Sequence, residues 1–473
     1  MKAGVFGQDG KLLALSRRSF KPTISRDGHV DIPIDVVYKS ARETVREAVG
    51  KSRAKILAMA VSSQGETFVT LDKDDHPLHN AIMWYDSRAD RQAEELCSAV
   101  YSAAGRKISI DAIMTVSKIR WLQEHRPAIM RKARRFILLP DYLAYRLTGL
   151  AAIDAHTAAS TGLLMSDEDK YDPAVLEAGR IDLSQLSTIL IPGTPIGKIK
   201  KTAAADWGLS PETLLVTGTN DQYAGALGAG NCRPGILSET SGTCLALVTL
   251  TKKQPRNLPA GLLGGKFPIP DHWFILAYSK TAGLVLDWFR KIVAAETSFE
   301  ELNEAAKKVP VGSNGLCMVP HFDGMISPTP NQRMRGAFIG LSLHHGRAHM
   351  YRSILEALTF NIMANIQIMQ SRGLNIEVIR SIGGGAANPL WRQIKADAAG
   401  LPVELPAVPE AATLGAAMLA AYGRGDFNSL EETSSRFYHC RAVVKPDLTR
   451  HGLYREAYEN YSRILEHMAA VYA

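Results

Sequence analysis

Several short stretches carry residues that could do chemistry. Thr219-Asn220-Asp221-Gln222 follows an apolar run and precedes Tyr223-Ala224-Gly225. A carboxylate at a strand end can take a proton from a substrate hydroxyl, but Asp is also a good helix N-cap. Spacing alone favours the cap. Ser62-Ser63-Gln64-Gly65-Glu66-Thr67 ends the apolar run Ile56–Val61 in polar groups, and Trp84-Tyr85-Asp86-Ser87-Arg88 ends another. An aromatic face beside fixed amide and carboxylate groups suits a polyhydroxy ligand, which has an apolar CH face and hydroxyl edges. A buried Trp with solvated loop charges fits that stretch equally well.

Glycine turns supply a second kind of chemistry. Ser241-Gly242-Thr243 lies between two strand-like runs, where backbone N–H groups and a hydroxyl can face phosphate oxygens. Gly383-Gly384-Gly385-Ala386-Ala387-Asn388 sits between a strand and a helix, so its amides and the helix N-terminus could cradle a nucleotide. Gly283 opens a third helix. Any one of these turns, taken singly, reads as an ordinary turn.

The elements that must position these groups follow from periodicity. Ala3–Phe6 and Lys11–Ala14 flank Asp9-Gly10, a hairpin signal. Val36, Val37, Ala41, Val45 and Val49 predict a helix over 35–49. The continuous run Ile56–Val61 predicts a strand covered on both faces. Phe68–Asp72 and Ala81–Trp84 read as strands, and Lys118–Leu122 and Tyr142–Leu147 as helices, the latter closed by Gly149. Strands recur at 214–218, 236–239, 245–248 and 379–382. Leu355, Leu358, Ile362, Ile366 and Met369 place a long helix over 347–370, ended by Gly373. The pattern is mixed α/β in two halves, divided near the small-residue stretch Gly225–Gly230.

Composition bounds the function. The chain has 473 residues, 46% hydrophobic and 22% charged, which excludes a disordered or collagen-like protein. The net charge of +8 comes without a basic run interleaved with aromatics, so nucleic-acid binding is not indicated. No apolar stretch reaches the ~18 residues of a membrane span. Met1–Phe6 lacks the apolar core of a signal peptide, so a cytoplasmic protein is expected. Cys97, Cys232, Cys244, Cys317 and Cys440 are odd in number and never spaced C-x-x-C, as fits reduced thiols. No clustered zinc ligands stand out.

Together these pieces resemble the FGGY carbohydrate kinase family. Gly336-Ala337-Phe338-Ile339-Gly340-Leu341, followed after seven residues by His349–Glu356, is similar to the family's second signature. Ser63–Thr67 with Asn80–Arg88, Gly218–Gln222 and Gly383–Asn388 resemble family counterparts in order. The resemblance implies two ribonuclease H-like, actin-like ATPase domains with a cleft between them: 1–228 binding a sugar or polyol, 229–473 binding ATP. It implies Asp221 as general base, with Gln64, Glu66, Trp84 and Gln222 lining the sugar site. Ser241, Gly242 and Thr243 would hold phosphates, and Gly283, Gly384, Gly385 and Asn388 would contact the nucleotide. ATP and Mg²⁺ are the implied cofactors, with no metal ligand assigned. The implied partner is a small sugar or polyol, with no nucleic acid and no membrane; a homo-oligomer is compatible with the sequence.

The resemblance also has departures. Family members carry an Asp-x-Gly-Thr turn, which holds Mg²⁺ and the outer phosphates, just before the segment that resembles Lys2–Phe6. This sequence starts at Met1, so a missing first strand and impaired or silent phosphotransfer are expected. Gly65 stands where glycerol kinases carry an Arg, Glu66 where xylulokinases carry a His, and Asp287 where glycerol kinases carry a Gln.

Overall fold

A computed structural model describes residues 1–165 and 168–472. Contacts divide the chain into two compact units, Met1–Gly228 with Ala412–Phe437, and Ala229–Ala411 with Tyr438–Ala473.

In the first unit, β1 (Lys2–Phe6) and β2 (Leu12–Arg17) form an antiparallel hairpin. Its turn is Gly7–Gly10, with the Gly10 amide donating to the Gly7 carbonyl at 3.0 Å. Helix α1 (Ile34–Ser52) buries Val37, Ala41, Thr44 and Ala48 on one face, as the three-and-four spacing requires. β3 (Ala58–Ala60) pairs in parallel with the strand Leu214–Val216, which pairs antiparallel with Pro195–Lys198. A second, five-stranded sheet includes β4 (Phe68–Leu71) and β5 (Ala81–Ile82). Helix α2 (Thr115–His125) packs its Val116, Ile119 and Leu122 into the same core as Phe68 and Ile82. After it come α3 (Leu139–Thr148), closed by Gly149 at φ 88°, then β6 (Pro195–Lys198), β7 (Leu214–Val216) and α4 (Asp221–Gly228).

The run Ile56–Val61 departs from expectation. Only Ala58–Ala60 forms a strand, and its residues are half-buried rather than enclosed. Among the described residues β1 pairs only with β2 and β3 only with β7, and both strands line a cavity of about 570 Å³. Val5, Ala48 and Met59 contribute to its largely apolar wall, and Asp221 lines it as well.

The second unit is built on a seven-stranded sheet in the order β10-β11-β9-β8-β12-β13-β14. These strands are β8 (Gly235–Ser241), β9 (Leu245–Thr251), β10 (Leu262–Lys266), β11 (Trp273–Ser279), β12 (Ile376–Ile382), β13 (Val403–Pro406) and β14 (Cys440–Val444). The central pair β8 and β12 runs parallel, with Glu239 opposite Ser381. Helix α5 (Gly283–Val293) follows β11. Helix α6 (Arg347–Ser371) is buried on nearly every side, not along one stripe, because it runs through the centre of the core with Leu237, Phe289 and Trp391. Its buried polar residues are paired: Arg352 Nε donates to Glu356 at 2.9 Å and Arg352 to Tyr454 Oη at 2.7 Å. Helix α7 (Pro389–Ala399) precedes β13.

The stretch 412–437 falls in the expected second domain, but α8 (Ala411–Arg424) and α9 (Leu430–Phe437) pack on the first unit. Glycine makes this contact close: a Cβ on Gly415 would lie 1.9 Å from the Ala224 carbonyl oxygen of α4. The chain returns to the second unit through β14 and the final helix α10 (Leu448–Val471). Among the described residues, no helix is long and apolar enough to cross a membrane.

Candidate active site

In the first unit the residues expected to form the sugar site gather near the ends of the parallel strands β3 and β7. The approach is close because Gly218 has no side chain: a Cβ there would sit 1.9 Å from the Val61 carbonyl oxygen. Beyond it, Asn220 bridges Ser63, and the Asp221 amide donates to the Ser63 carbonyl at 3.0 Å. Two loops that are distant in sequence are thus fixed side by side at the carboxyl ends of strands, where open α/β sheets bind ligands.

The cap at the start of α4 is formed by the neighbour of Asp221. The side chain of Asn220 accepts the Gln222 amide at 3.0 Å, so Asn220 takes the turn-forming role at the start of α4. The carboxylate of Asp221 receives a side-chain donor from Gln222 Nε2 at 3.2 Å. Burial raises its pKa above the usual carboxylate range, against the lowering effect of Gln222.

Glu66 lies close enough to feel Asp221, Lys118 and Asp111. Burial pushes its carboxyl up to about 7, opposed by a hydrogen bond from Ser160 and by the Lys118 ammonium. It is held in the left-handed region at φ 56°, a strained conformation for a non-glycine residue. Gly65 has no room for a side chain, since a Cβ would fall 2.1 Å from Ser160 Oγ. Gln64 Nε2 donates to Thr67 Oγ1 at 2.9 Å, and the same hydroxyl accepts the Trp84 amide at 2.9 Å. Thr67 therefore ties the Gln64–Glu66 loop to Trp84, whose half-buried ring meets Tyr85 edge-on at 5.3 Å.

Asp86 and Arg88 are not the solvated loop charges that the sequence left open. Asp86 is buried and accepts the Val30 amide at 2.5 Å and Arg88 Nε at 2.7 Å. Arg88 also pairs with Asp31 at 2.7 Å. These groups anchor the loop that carries Trp84. Sequence reasoning missed Lys118, a lone lysine on the buried face of α2. Its Nζ donates to the Met83 and Trp84 carbonyls at 2.8 and 3.0 Å, and burial pulls its pKa down to about 8. A lysine inside an apolar helical stripe was the available signal. Ser160 and Tyr223 gave none, because only folding brings them near Glu66.

In the second unit the expected nucleotide residues come together. Half-buried Gly242 and exposed Thr243 form the tip of the β8–β9 hairpin. The Gly283 amide, opening α5, donates to the Gly242 carbonyl at 2.8 Å, and a Cβ on Gly283 would sit 2.4 Å from that oxygen. The Gly383–Gly385 turn leans on the same place: a Cβ on Gly385 would lie 2.5 Å from Ser241 Cβ. The outer faces are open, with nothing within 4 Å of a Cβ built on Gly242. Such a pair of open glycine turns fits a phosphate chain, which needs close backbone approach. Asn388 is half-buried; its amide accepts Trp391 N at 3.1 Å as the N-cap of α7 and donates to Tyr351 Oη at 3.1 Å, which leaves one N–H and one oxygen lone pair.

A group of possible metal ligands went unnoticed in the sequence: Asp72, Asp74 and His76 gather on the turn after β4. Asp72 accepts the Asp74 and His76 amides, each at 2.9 Å, so its carboxylate shapes that turn.

The N-terminal domain of the FGGY family of carbohydrate kinases matches residues 1–228, and its C-terminal domain matches 238–424. The chain belongs to this family. The xylulose kinase of Bacillus subtilis (strain 168) is 27% identical over 99% of this chain and 95% of its own length. The L-xylulose/3-keto-L-gulonate kinase of Escherichia coli (strain K12) is 26% identical over 100% of this chain and 96% of its own. The crystal structure of ligand-bound xylulose kinase from Lactobacillus acidophilus superposes with a TM-score of 0.89 at 23% identity. That match covers 100% of this chain and 96% of that one. The chain is a carbohydrate kinase of two-domain, actin-like fold, in a family that acts on sugars with ATP.

Proposed function

We propose that this protein transfers the γ-phosphoryl group of ATP to a hydroxyl of a ketose or polyol, with Asp221 as general base. The observation that carries the reading is the freeing of Asp221: Asn220 forms the turn, so the carboxylate of Asp221 keeps acceptor capacity for a substrate hydroxyl. Gln64, Glu66, Trp84 and Gln222 bind the sugar, polar groups on the hydroxyls and the indole on the CH face. Ser241, Gly242 and Thr243, with Gly283, Gly384 and Gly385, form the cradle for the phosphates. Asn388 contributes through the shape it gives the second turn.

In the reaction the substrate oxygen bonds to the γ-phosphorus, its proton passes to Asp221, and the bond from phosphorus to the β-phosphate oxygen breaks to release ADP. Mg²⁺ arriving with ATP would neutralise phosphate charge; no ligand in this chain is assigned to it. The raised pKa of Asp221 makes it a stronger proton acceptor than an exposed carboxylate.

The test is a coupled ADP-release assay across pentuloses, hexuloses and polyols, on the wild type and Asp221→Asn. The substitution keeps shape and removes the base. It is expected to lower kcat by about 10²–10⁴-fold with sugar and ADP affinities within a few-fold. A variant retaining more than about a tenth of the turnover refutes the assignment. Binding of sugar and ADP by the wild type without ADP release would make the protein a silent ligand binder instead.

A further inference from the structure

The second unit contains a fully buried charge cluster directly behind the two glycine turns. Glu239 on β8 and Lys395 on α7 are both 0% exposed, and Lys395 Nζ donates to Glu239 Oε2 at 2.7 Å. The same oxygen accepts Ser381 Oγ at 2.5 Å, while Glu239 Oε1 accepts Ser241 Oγ. Lys395 Nζ also reaches Ser381 Oγ at 3.3 Å and Ser241 Oγ at 3.4 Å. It lies 4.2 Å from the centre of the Trp391 ring, whose Nε1 donates to Thr359 on α6 at 3.0 Å. Ser241 is the last residue before the Gly242 turn, and Ser381 stands two residues before Gly383. One carboxylate therefore ties together the roots of both turns.

A buried ion pair adds little net stability compared with apolar residues of similar volume, because desolvation offsets the attraction. Its distinctive contribution is directional: two fixed oxygens hold two hydroxyls and an ammonium in one arrangement. Neither Glu239 nor Lys395 can touch a nucleotide from inside the core, and the pair carries no net charge toward phosphate. The turns it anchors are already in contact, since Gly385 has no space for a Cβ beside Ser241.

We propose that Glu239 and Lys395 are positioning residues that act through Ser241 and Ser381 to set the spacing of the two phosphate-cradling turns. The inference rests on the nucleotide site proposed above. It predicts that removing the cluster weakens the nucleotide side of the reaction selectively and leaves the sugar side unchanged.

The test compares the wild type with Glu239→Leu/Lys395→Met, which removes both charges together, and Glu239→Gln/Lys395→Met, which restores a hydrogen-bonding partner for the serines. ADP affinity with Mg²⁺ is read by calorimetry, and KM for ATP and for sugar by ADP release. The Leu/Met pair is expected to weaken ADP and raise the KM for ATP about tenfold, with the sugar KM within about twofold. The Gln/Met pair is expected to recover most of that loss. ADP affinity within about twofold of wild type in the Leu/Met pair, or equal shifts in both KM values, overturns the proposal. If that pair does not fold, Ser381→Ala, which keeps the ion pair, gives the decision: about threefold weaker ADP supports it and unchanged affinity overturns it. A wild type that binds no ADP defeats the nucleotide-site reading and this inference with it. A wild type that binds ADP and phosphorylates sugar, beside a Leu/Met pair with unchanged affinity, defeats this inference alone.

Discussion

Gly415→Ala tests whether Asp221 works by its placement on α4. A methyl at position 415 would meet the Ala224 carbonyl oxygen at 1.9 Å, its carbon at 2.7 Å and its Cα at 3.0 Å. All three atoms are backbone, so no rotamer change relieves the clash. The helices must part by about 1 Å before even a tight contact of 3.0 Å is restored. Ala224 lies one turn from Asp221 on the same helix, and a helix passes such a shift along its axis. Overpacking costs about 1–3 kcal/mol, and replacing a helical glycine returns up to about 1 kcal/mol, so the net loss of stability is modest. A displacement of about 1 Å at the base costs on the order of 10²-fold in turnover. The expected outcome is therefore a large fall in kcat beside a small fall in Tm. Gly50→Ala is the matched control: it sits in α1 with nothing within 4 Å of the added methyl, and should stabilise without changing kcat. Steady-state kinetics and thermal unfolding of both variants decide the matter. A Gly415→Ala enzyme turning over within about twofold of wild type would show that α4 does not set the position of the base.

Two further expectations concern pH. Asp141, fully buried beside Ser187, has its carboxyl pushed up to about 8 by burial, against about 4 in the unfolded chain. The unfolded state therefore releases its proton first, and stability falls as pH rises from about 4 to about 8. Asp141→Asn should remove that slope, so its Tm advantage grows between pH 5 and pH 8; a constant offset across this range would contradict the argument. Glu66, pushed up to about 7, ionises across neutral pH. If its carboxylate accepts sugar hydroxyls, kcat/KM for sugar rises through about pH 7 and Glu66→Gln flattens that rise; an unchanged inflection in the variant would remove Glu66 from the site.

Legibility in the sequence followed the range of the interactions. Helix α1, the β1–β2 hairpin and the close of α3 at Gly149 were readable because periodicity, a two-residue turn signal and a C′ glycine are local. Asp221 was visible as a candidate, yet cap and base could not be separated. That Asn220 rather than Asp221 forms the turn depends on which of two adjacent polar side chains faces the helix. The run Ile56–Val61 misled because apolar composition does not tell an enclosed strand from one that faces a cavity. The return of α8 to the first unit had no signal at all, since Gly415 reads as a weak helical residue until Ala224 is set against it.

By itself the sequence determined the α/β class, the family, and the short stretches that hold the sugar-site and nucleotide-site candidates. Residue order and local backbone preference suffice for those. The tertiary structure decided what each candidate already holds: Asn388 caps a helix, Asp86 anchors a loop, and Asp221 accepts Gln222 Nε2. It also revealed the Glu239–Lys395 pair, formed by residues 156 positions apart. A side chain's chemical role depends on what its remaining lone pairs and protons already hold, and that is fixed only when distant segments are packed together.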